Sequence, residues 1–207
     1  RGLGDVYKRQ DGITRIVYED NSKNTHEVAT LDDGMKYAGD DAQGADKSKV
    51  IAKKLNQTMD IIGGADKSKL TDNNIGVNNV DGKLKVQLAK NVDLDADGSL
   101  TTGATKVDNN GVTITAPAGG TTTDVKLTNT GLDNGGNKII NVKAGEADTD
   151  AVNVAQLKSV NLAFTGDTGT GDVNLANSKL AVNGDNTYIT TTANGKKITI
   201  AGKKQDI

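Results

Sequence analysis

Asp167-Thr168-Gly169 is a triplet that, when two copies face each other on apolar-flanked loops, lets paired carboxylates share a proton and activate water. Its flanks here, Thr165-Gly166 and Thr170-Gly171-Asp172, are small and polar, which suits a turn better than a protease site. Asp93-Leu-Asp-Ala-Asp-Gly98 opens like a calcium loop, with carboxylates at alternate positions and a glycine for the sharp bend. The twelfth position, where a bidentate Glu should close the shell, is Ala104, so an Asp-rich turn is again expected. His26 is the only histidine and there is no cysteine, which rules out multi-histidine and thiolate metal sites and leaves a Ser-His-Asp triad a single possible base. The paired glycines at 63–64, 119–120 and 135–136 lack the strand, GxGxxG and helix context of a nucleotide cradle. No catalytic, metal or cofactor residues are therefore assigned, and the chain reads as a non-enzyme.

The elements that would position any site are short strands between frequent turns. The chain has 207 residues with a net charge of −2; 34% are hydrophobic and 2% aromatic, with 25 Gly and one Pro, Pro117. Large aliphatic and aromatic side chains normally dominate a core, and this composition is poor in them. Balanced charge and alternating β-branched residues argue against disorder, and the lack of a concentrated basic face argues against nucleic acid. No stretch approaches the roughly 20 apolar residues of a membrane helix, and no signal peptide opens the chain. A mainly β chain whose core is shared between copies fits these properties.

Along the chain, Thr14, Ile16 and Tyr18 alternate toward one face of a hairpin strand, answered by Ala29 and Leu31 across Asn21-Ser-Lys-Asn24. Arg1 to Gln10 differ enough in character that they need not belong to the fold, and the opening Arg suggests an internal fragment. Leu84, Val86 and Leu88 mark a half-buried strand. Gly44-Ala-Asp-Lys-Ser-Lys-Val50 recurs as Gly64-Ala-Asp-Lys-Ser-Lys-Leu70, and the segments around Lys36–Asp41, Thr58–Gly63 and Asp81–Val86 are echoed at Ala163–Thr168, Lys179–Gly184 and Asn194–Ile200. Repeats of this size mark a modular chain. Val107–Thr115 and Asp124–Leu132 read as two strands around the Gly119-Gly120 turn, with Asn110-Gly111 as a further hairpin signal.

One stretch stands apart. Lys138-Ile-Ile-Asn-Val142 reads as a short strand, Ala144-Gly145 as a turn, and the following residues as the only convincing helix, with Asp148 or Thr149 as N-cap. Ala151, Val154, Leu157 and Val160 recur at helical spacing over about three turns, a stripe too short to be stable alone. The ordered run Asn137, Ile139, Asn141, Val142, Gly145, Asp150, Ala151, Val152, Asn153, Val154, Gln156 and Leu157 resembles the neck of trimeric autotransporter adhesins, the surface fibres of Gram-negative bacteria.

That resemblance implies an intertwined homotrimeric fibre of β-rich heads with one short helical neck per chain, in which the neck residues above mediate trimerisation. It also implies a division of the chain: a connector hairpin at 1–34, a Trp-ring-like module at 35–92, a β-prism head module at 93–134, the neck at 135–160, and a second, truncated Trp-ring-like module at 161–207. Both ring modules depart from the family in lacking Trp, so Tyr37 and Phe164 would supply the large ring. The implied role is attachment to host cells or extracellular matrix and cell–cell aggregation by multivalent binding, on the bacterial surface, with membrane anchoring only through a C-terminal segment outside this stretch. A non-binding spacer and a phage-type trimeric fibre are the rival readings.

Overall fold

The computed structural model describes residues 5–8 and 14–206. The remaining positions of the segment from Arg1 to Gln10, and the expected start of the hairpin at Gly12, lie outside the described residues. The chain is mainly β, with a single α-helix among the described residues, and divides into two units, 1–73 and 74–207.

In the first unit, β1 (Asp5–Lys8), β2 (Thr14–Glu19) and β3 (Thr25–Glu27) form an antiparallel sheet in that order. Tyr18 faces His26 and Glu19 faces Thr25, so the strand partner of β2 ends at Glu27, short of Ala29 and Leu31. The buried face of β2 is also the opposite of the expected one. Arg15 and Val17 are buried, whereas Ile16 and Tyr18 are about half exposed. The reason is a long-range ion pair: the Arg15 guanidinium meets Asp33, whose other carboxylate oxygen accepts from Thr30 N at 2.8 Å. A charge at this depth is tolerable because it is paired. The turn itself is closed by Asp20, which accepts from Ser22 N, Asn24 N and the Asn24 amide, and whose Oδ2 lies 2.8 Å from His26 Nε2.

A second pair, β4 (Gly34–Tyr37) and β5 (Ile51–Lys54), follows, joined through a 3-10 turn at Asp40–Ala42. The two Gly-Ala-Asp-Lys-Ser-Lys copies share one local device. Asp46 and Asp66 each accept from the backbone N–H two residues on, Ser48 and Ser68, at 2.9 Å. A carboxylate satisfying an otherwise unpaired N–H stabilises such a turn, and these bonds hold both carboxyls below the ordinary Asp range.

The second unit begins with the hairpin β6 (Ile75–Val80) and β7 (Lys83–Leu88). Its register pairs Ile75 with Leu88, Val77 with Val86 and Asn79 with Leu84. Side chains directly opposite share a face, so the expected stripe of Leu84, Val86 and Leu88 does line one side. The hairpin base is closed by Asn74, whose amide donates to Asp93 O at 2.7 Å and accepts from Asp93 N at 3.0 Å.

Next comes a five-stranded antiparallel sheet: β8 (Ser99–Thr102), β9 (Thr105–Asp108), β10 (Gly111–Ile114), β11 (Val125–Thr128) and β12 (Gly131–Asp133), in sequence order. Each of the two strands expected at Val107–Thr115 and Asp124–Leu132 is thus folded back on itself. The breaks fall at Asn109-Asn110 and Asn129-Thr130, each followed by a glycine at φ near +125°, Gly111 and Gly131. Only glycine adopts that backbone readily, and it lets strands of three or four residues reverse.

After α1 (Val154–Lys158), two hairpins complete the chain: β13 (Asn161–Thr165) with β14 (Thr170–Asn174), and β15 (Ile189–Asn194) with β16 (Lys197–Gly202). Phe164 lies across from Gly171, where an added Cβ would stand 2.7 Å from the ring.

Very little of this chain is covered by its own residues. Its accessible surface is 18645 Å², about twice the roughly 9,000 Å² expected for a compact monomer of this mass. Among the described residues the buried apolar side chains are Val17, Ala42 and Val173, while 38 large hydrophobic side chains stand exposed.

Candidate functional site

The largest ordered apolar surface is one face of the five-stranded sheet. Register carries a single row across all five strands: Leu100 opposite Val107, Val107 opposite Val112, Val112 opposite Leu127, and Leu127 opposite Leu132. A second row two residues along each strand places Thr102, Thr105, Ile114 and Val125 on the same side. The other side carries Thr101, Lys106, Thr113, Lys126 and Asp133 in the corresponding row. One face is therefore built for water and the other for burial. Yet Leu100, Val107, Ile114, Leu127 and Leu132 are all exposed in the single chain. A contiguous apolar face of this kind marks a contact surface.

The stretch from Asn137 to Val160 is organised by hydrogen bonds. Asn153 is the N-cap of α1: its side chain accepts from Gln156 N at 3.0 Å while Gln156 Oε1 accepts from Asn153 N at 3.2 Å, a capping box. The cap is therefore neither Asp148 nor Thr149, and the helix has five residues, so Ala151 and Val160 fall outside it. Val154 and Leu157 remain on it and are exposed. Asp150 does a different job, accepting through Oδ2 from both Glu146 N and Ala147 N at 2.9 Å. Those two bonds, Ala147's first, hold its carboxyl below the ordinary range.

The Gln156 carboxamide also reaches back eleven residues and pairs with Gly145 as a peptide group would, accepting from Gly145 N at 2.8 Å and donating to Gly145 O at 2.9 Å. Asn153 Nδ2 donates to Val142 O at 3.0 Å beside it. The close approach needs a glycine, because a Cβ at 145 would meet Ala151 O at 2.7 Å. At the start of the stretch, Asn137 exchanges side-chain bonds with Asn134, its Nδ2 donating to Asn134 O at 2.9 Å and its own carbonyl accepting from Asn134 Nδ2 at 2.8 Å. The expected short strand at Lys138–Val142 is absent. Asn141 instead takes a left-handed turn at φ +60°, and Ile139, Ile140 and Val152 are exposed.

Of the anticipated residues, the structure thus joins Val142, Asn153 and Gln156 in one network through Gly145, and sets Asp150 on a neighbouring turn. It leaves Ile139, Val152, Val154 and Leu157 uncovered. The sequence reading missed the role of Gly145 and the apolar row across β8–β12. The signal for the cap, Asn-x-x-Gln at 153–156, was present in the sequence.

Elsewhere the chemistry-bearing motifs form turns. Asp167-Thr168-Gly169 lies in the loop between β13 and β14, closed by Gly166 N on Gly169 O. In the Asp93–Gly98 loop, Asp93 Oδ1 accepts from Asp95 N at 2.9 Å, and no group of three or more metal-ligating side chains converges among the described residues. His26 stacks on Tyr18 with ring centroids 5.1 Å apart. No helix among the described residues is long and apolar enough to cross a membrane.

Comparison with known proteins supplies the context for these surfaces. The family model described as the coiled stalk of trimeric autotransporter adhesin matches residues 138–180. Here the helix within that span ends at Lys158 and the chain returns to a strand at Asn161. A 190-residue alignment is 33% identical to the trimeric autotransporter adhesin AtaA of Acinetobacter sp. strain Tol 5, covering 87% of this chain and 5% of that protein. The crystal structure of N-terminal domain 1 of VompD from Bartonella quintana is 23% identical and covers 60% of this chain and 95% of that one, with a TM-score of 0.35, too loose an overlay to carry weight.

Proposed function

The chain belongs to the trimeric autotransporter adhesins, outer-membrane proteins with surface-exposed passenger regions, and from that premise we propose that it is a head-and-neck stretch of such a passenger, active as a homotrimer. The observation that carries the proposal is the apolar row Leu100–Val107–Val112–Leu127–Leu132, complete across five strands and uncovered in the single chain. Three copies turned inward about one axis would bury that row and leave the Lys106 and Lys126 face to solvent. Ile139, Val152, Val154 and Leu157 would be covered at the neck in the same way. The Gln156–Gly145 pairing supports this reading, since it lets each chain shape its neck turn without help from another.

In this proposal 35–92 and 161–207 are ring-type modules with Tyr37 and Phe164 in place of Trp, 93–134 is the β-prism head, and 135–160 is the neck. The trimer attaches the cell to host surfaces or matrix proteins and to other cells, by presenting each weak contact three times. Linked weak contacts gain by effective concentration without a single strong site. The test is direct. The chain, fused to a trimeric coiled coil to hold register, is coated on beads and offered to matrix-coated surfaces and host cells. Retention of the trimer above a monomeric variant is expected. A folded trimer that binds neither surface and does not aggregate beads would assign this stretch a spacer role.

A further inference from the structure

Four asparagines precede glycine, at 110, 134, 183 and 194, and each is open in principle to one spontaneous reaction. The backbone nitrogen of the glycine attacks the asparagine side-chain carbonyl carbon, a C–N bond forms, and the side-chain nitrogen leaves as ammonia. Water then opens the resulting succinimide at either carbonyl, giving aspartate or isoaspartate. A glycine lowers the steric barrier because no Cβ shields its nitrogen. Hydrogen bonds or packing that hold either reacting group raise the barrier, since they must first be broken by local opening.

The fold treats the four sites differently. At Asn134 both groups are held: its amide donates to Asn137 O at 2.8 Å, and Gly135 N donates to Asp133 Oδ1 at 2.9 Å. At Asn110 the following Gly111 is paired with Asp108 in the β9–β10 ladder and packs against the Leu127 carbonyl of β11. At Asn183 the preceding carbonyl of Val182 accepts from Thr191 Oγ1 at 2.6 Å, and Gly184 lies against the Ile189 carbonyl. Asn194 has none of these restraints. It is exposed at the end of β15, and its partner across the two-residue turn is Lys197. Gly195 stands at φ +59° with open space around it.

We infer that Asn194 is the site at which this protein loses a side-chain amide with age, and that the fold protects the other three. The product puts a carboxylate beside Lys196 and Lys197. In the isoaspartyl form an extra backbone methylene enters the turn that sets the β15–β16 register. The inference does not depend on the oligomeric state: Asn194 shares its side of the hairpin with Thr190, Thr192, Lys197 and Thr199, opposite Ile198 and Ile200.

The experiment incubates the folded chain in mildly alkaline buffer, then quantifies aspartate and isoaspartate at each Asn-Gly step by peptide mass spectrometry and isoaspartyl methyltransferase labelling. Conversion at Asn194 is expected at least about tenfold faster than at the other three, because each of those requires local opening. In concentrated urea the four rates should converge, and Asn194→Gln should remove the dominant label from the native sample. Equal rates in the folded chain, or conversion first at Asn110, Asn134 or Asn183, would overturn the inference. So would an unreacted Asn194 in a folded sample whose urea control reacts.

Discussion

Leu127 offers the sharpest test of the inward-facing sheet. It sits on β11 in the middle of the apolar row and is 54% exposed in the single chain. Fully burying a Leu side chain contributes about 1.5–3 kcal/mol. About half of that, roughly 0.8–1.6 kcal/mol, is left to be gained on assembly. Three symmetry-related copies give about 2.5–5 kcal/mol, or roughly two to three and a half powers of ten in the trimer dissociation constant. Leu127→Thr keeps the β-branched preference of a strand while removing most of this apolar gain. The control is the adjacent residue, Lys126→Thr, which changes the opposite face of the same strand. Sedimentation equilibrium over a wide concentration range should show the native chain and Lys126→Thr as trimers under conditions where Leu127→Thr has dissociated. The reasoning fails if the native chain stays monomeric at high concentration, or if the two substitutions weaken the trimer equally.

Three further outcomes follow from local geometry. Gln156→Ala deletes both bonds to Gly145 and the one to Asn153 N, and with the half-buried Gly145 groups left unpaired it should cost about 2–3 kcal/mol in urea unfolding; an unchanged midpoint would show that the pairing does not hold the turn. Asp33→Ala leaves the buried Arg15 without its counter-charge and should destabilise the first unit by about 3 kcal/mol, with much of the loss recovered by adding Arg15→Met, as read from thermal melts. The carboxyls of Asp20, Asp150 and Asp185 are all lowered: Asp20 to about 2, chiefly through His26 and Asn24, Asp150 by Ala147 N and Glu146 N, and Asp185 by Tyr188 N, Ile189 N and Thr187 N. A folded-state pKa below the unfolded value contributes stability above the unfolded pKa and loses it as pH falls through the folded one. The melting temperature should therefore hold from neutral pH down to about 4 and drop between about 4 and 2, and Asp20→Asn should flatten part of that drop.

Several features of this molecule are set by local sequence. Alternation alone places Leu84, Val86 and Leu88 on one side of a strand, because side chains one residue apart on a strand point to opposite faces. The scarcity of large apolar residues foretold how little the single chain would bury, since burial needs side chains to bury. Turn positions were legible at Asn21–Asn24, where short polar residues bond their own backbone.

Other features needed the tertiary structure. Alternation in β2 allows two faces, and hydrophobicity favours Ile16 and Tyr18; the fold buries Arg15 and Val17 because Asp33, eighteen residues away, supplies a counter-charge that no local pattern reveals. The strands from β8 to β12 have three or four residues each, too few for a period of two to declare itself. Only the register aligns Leu100, Val107, Val112, Leu127 and Leu132 into one row. At the neck, Asp148, Thr149 and Asn153 were all acceptable caps by residue type. Asn153 prevails because the amide of Gln156 that completes its capping box is also held by Gly145, a bond across eleven residues that exists only once the chain has turned back on itself.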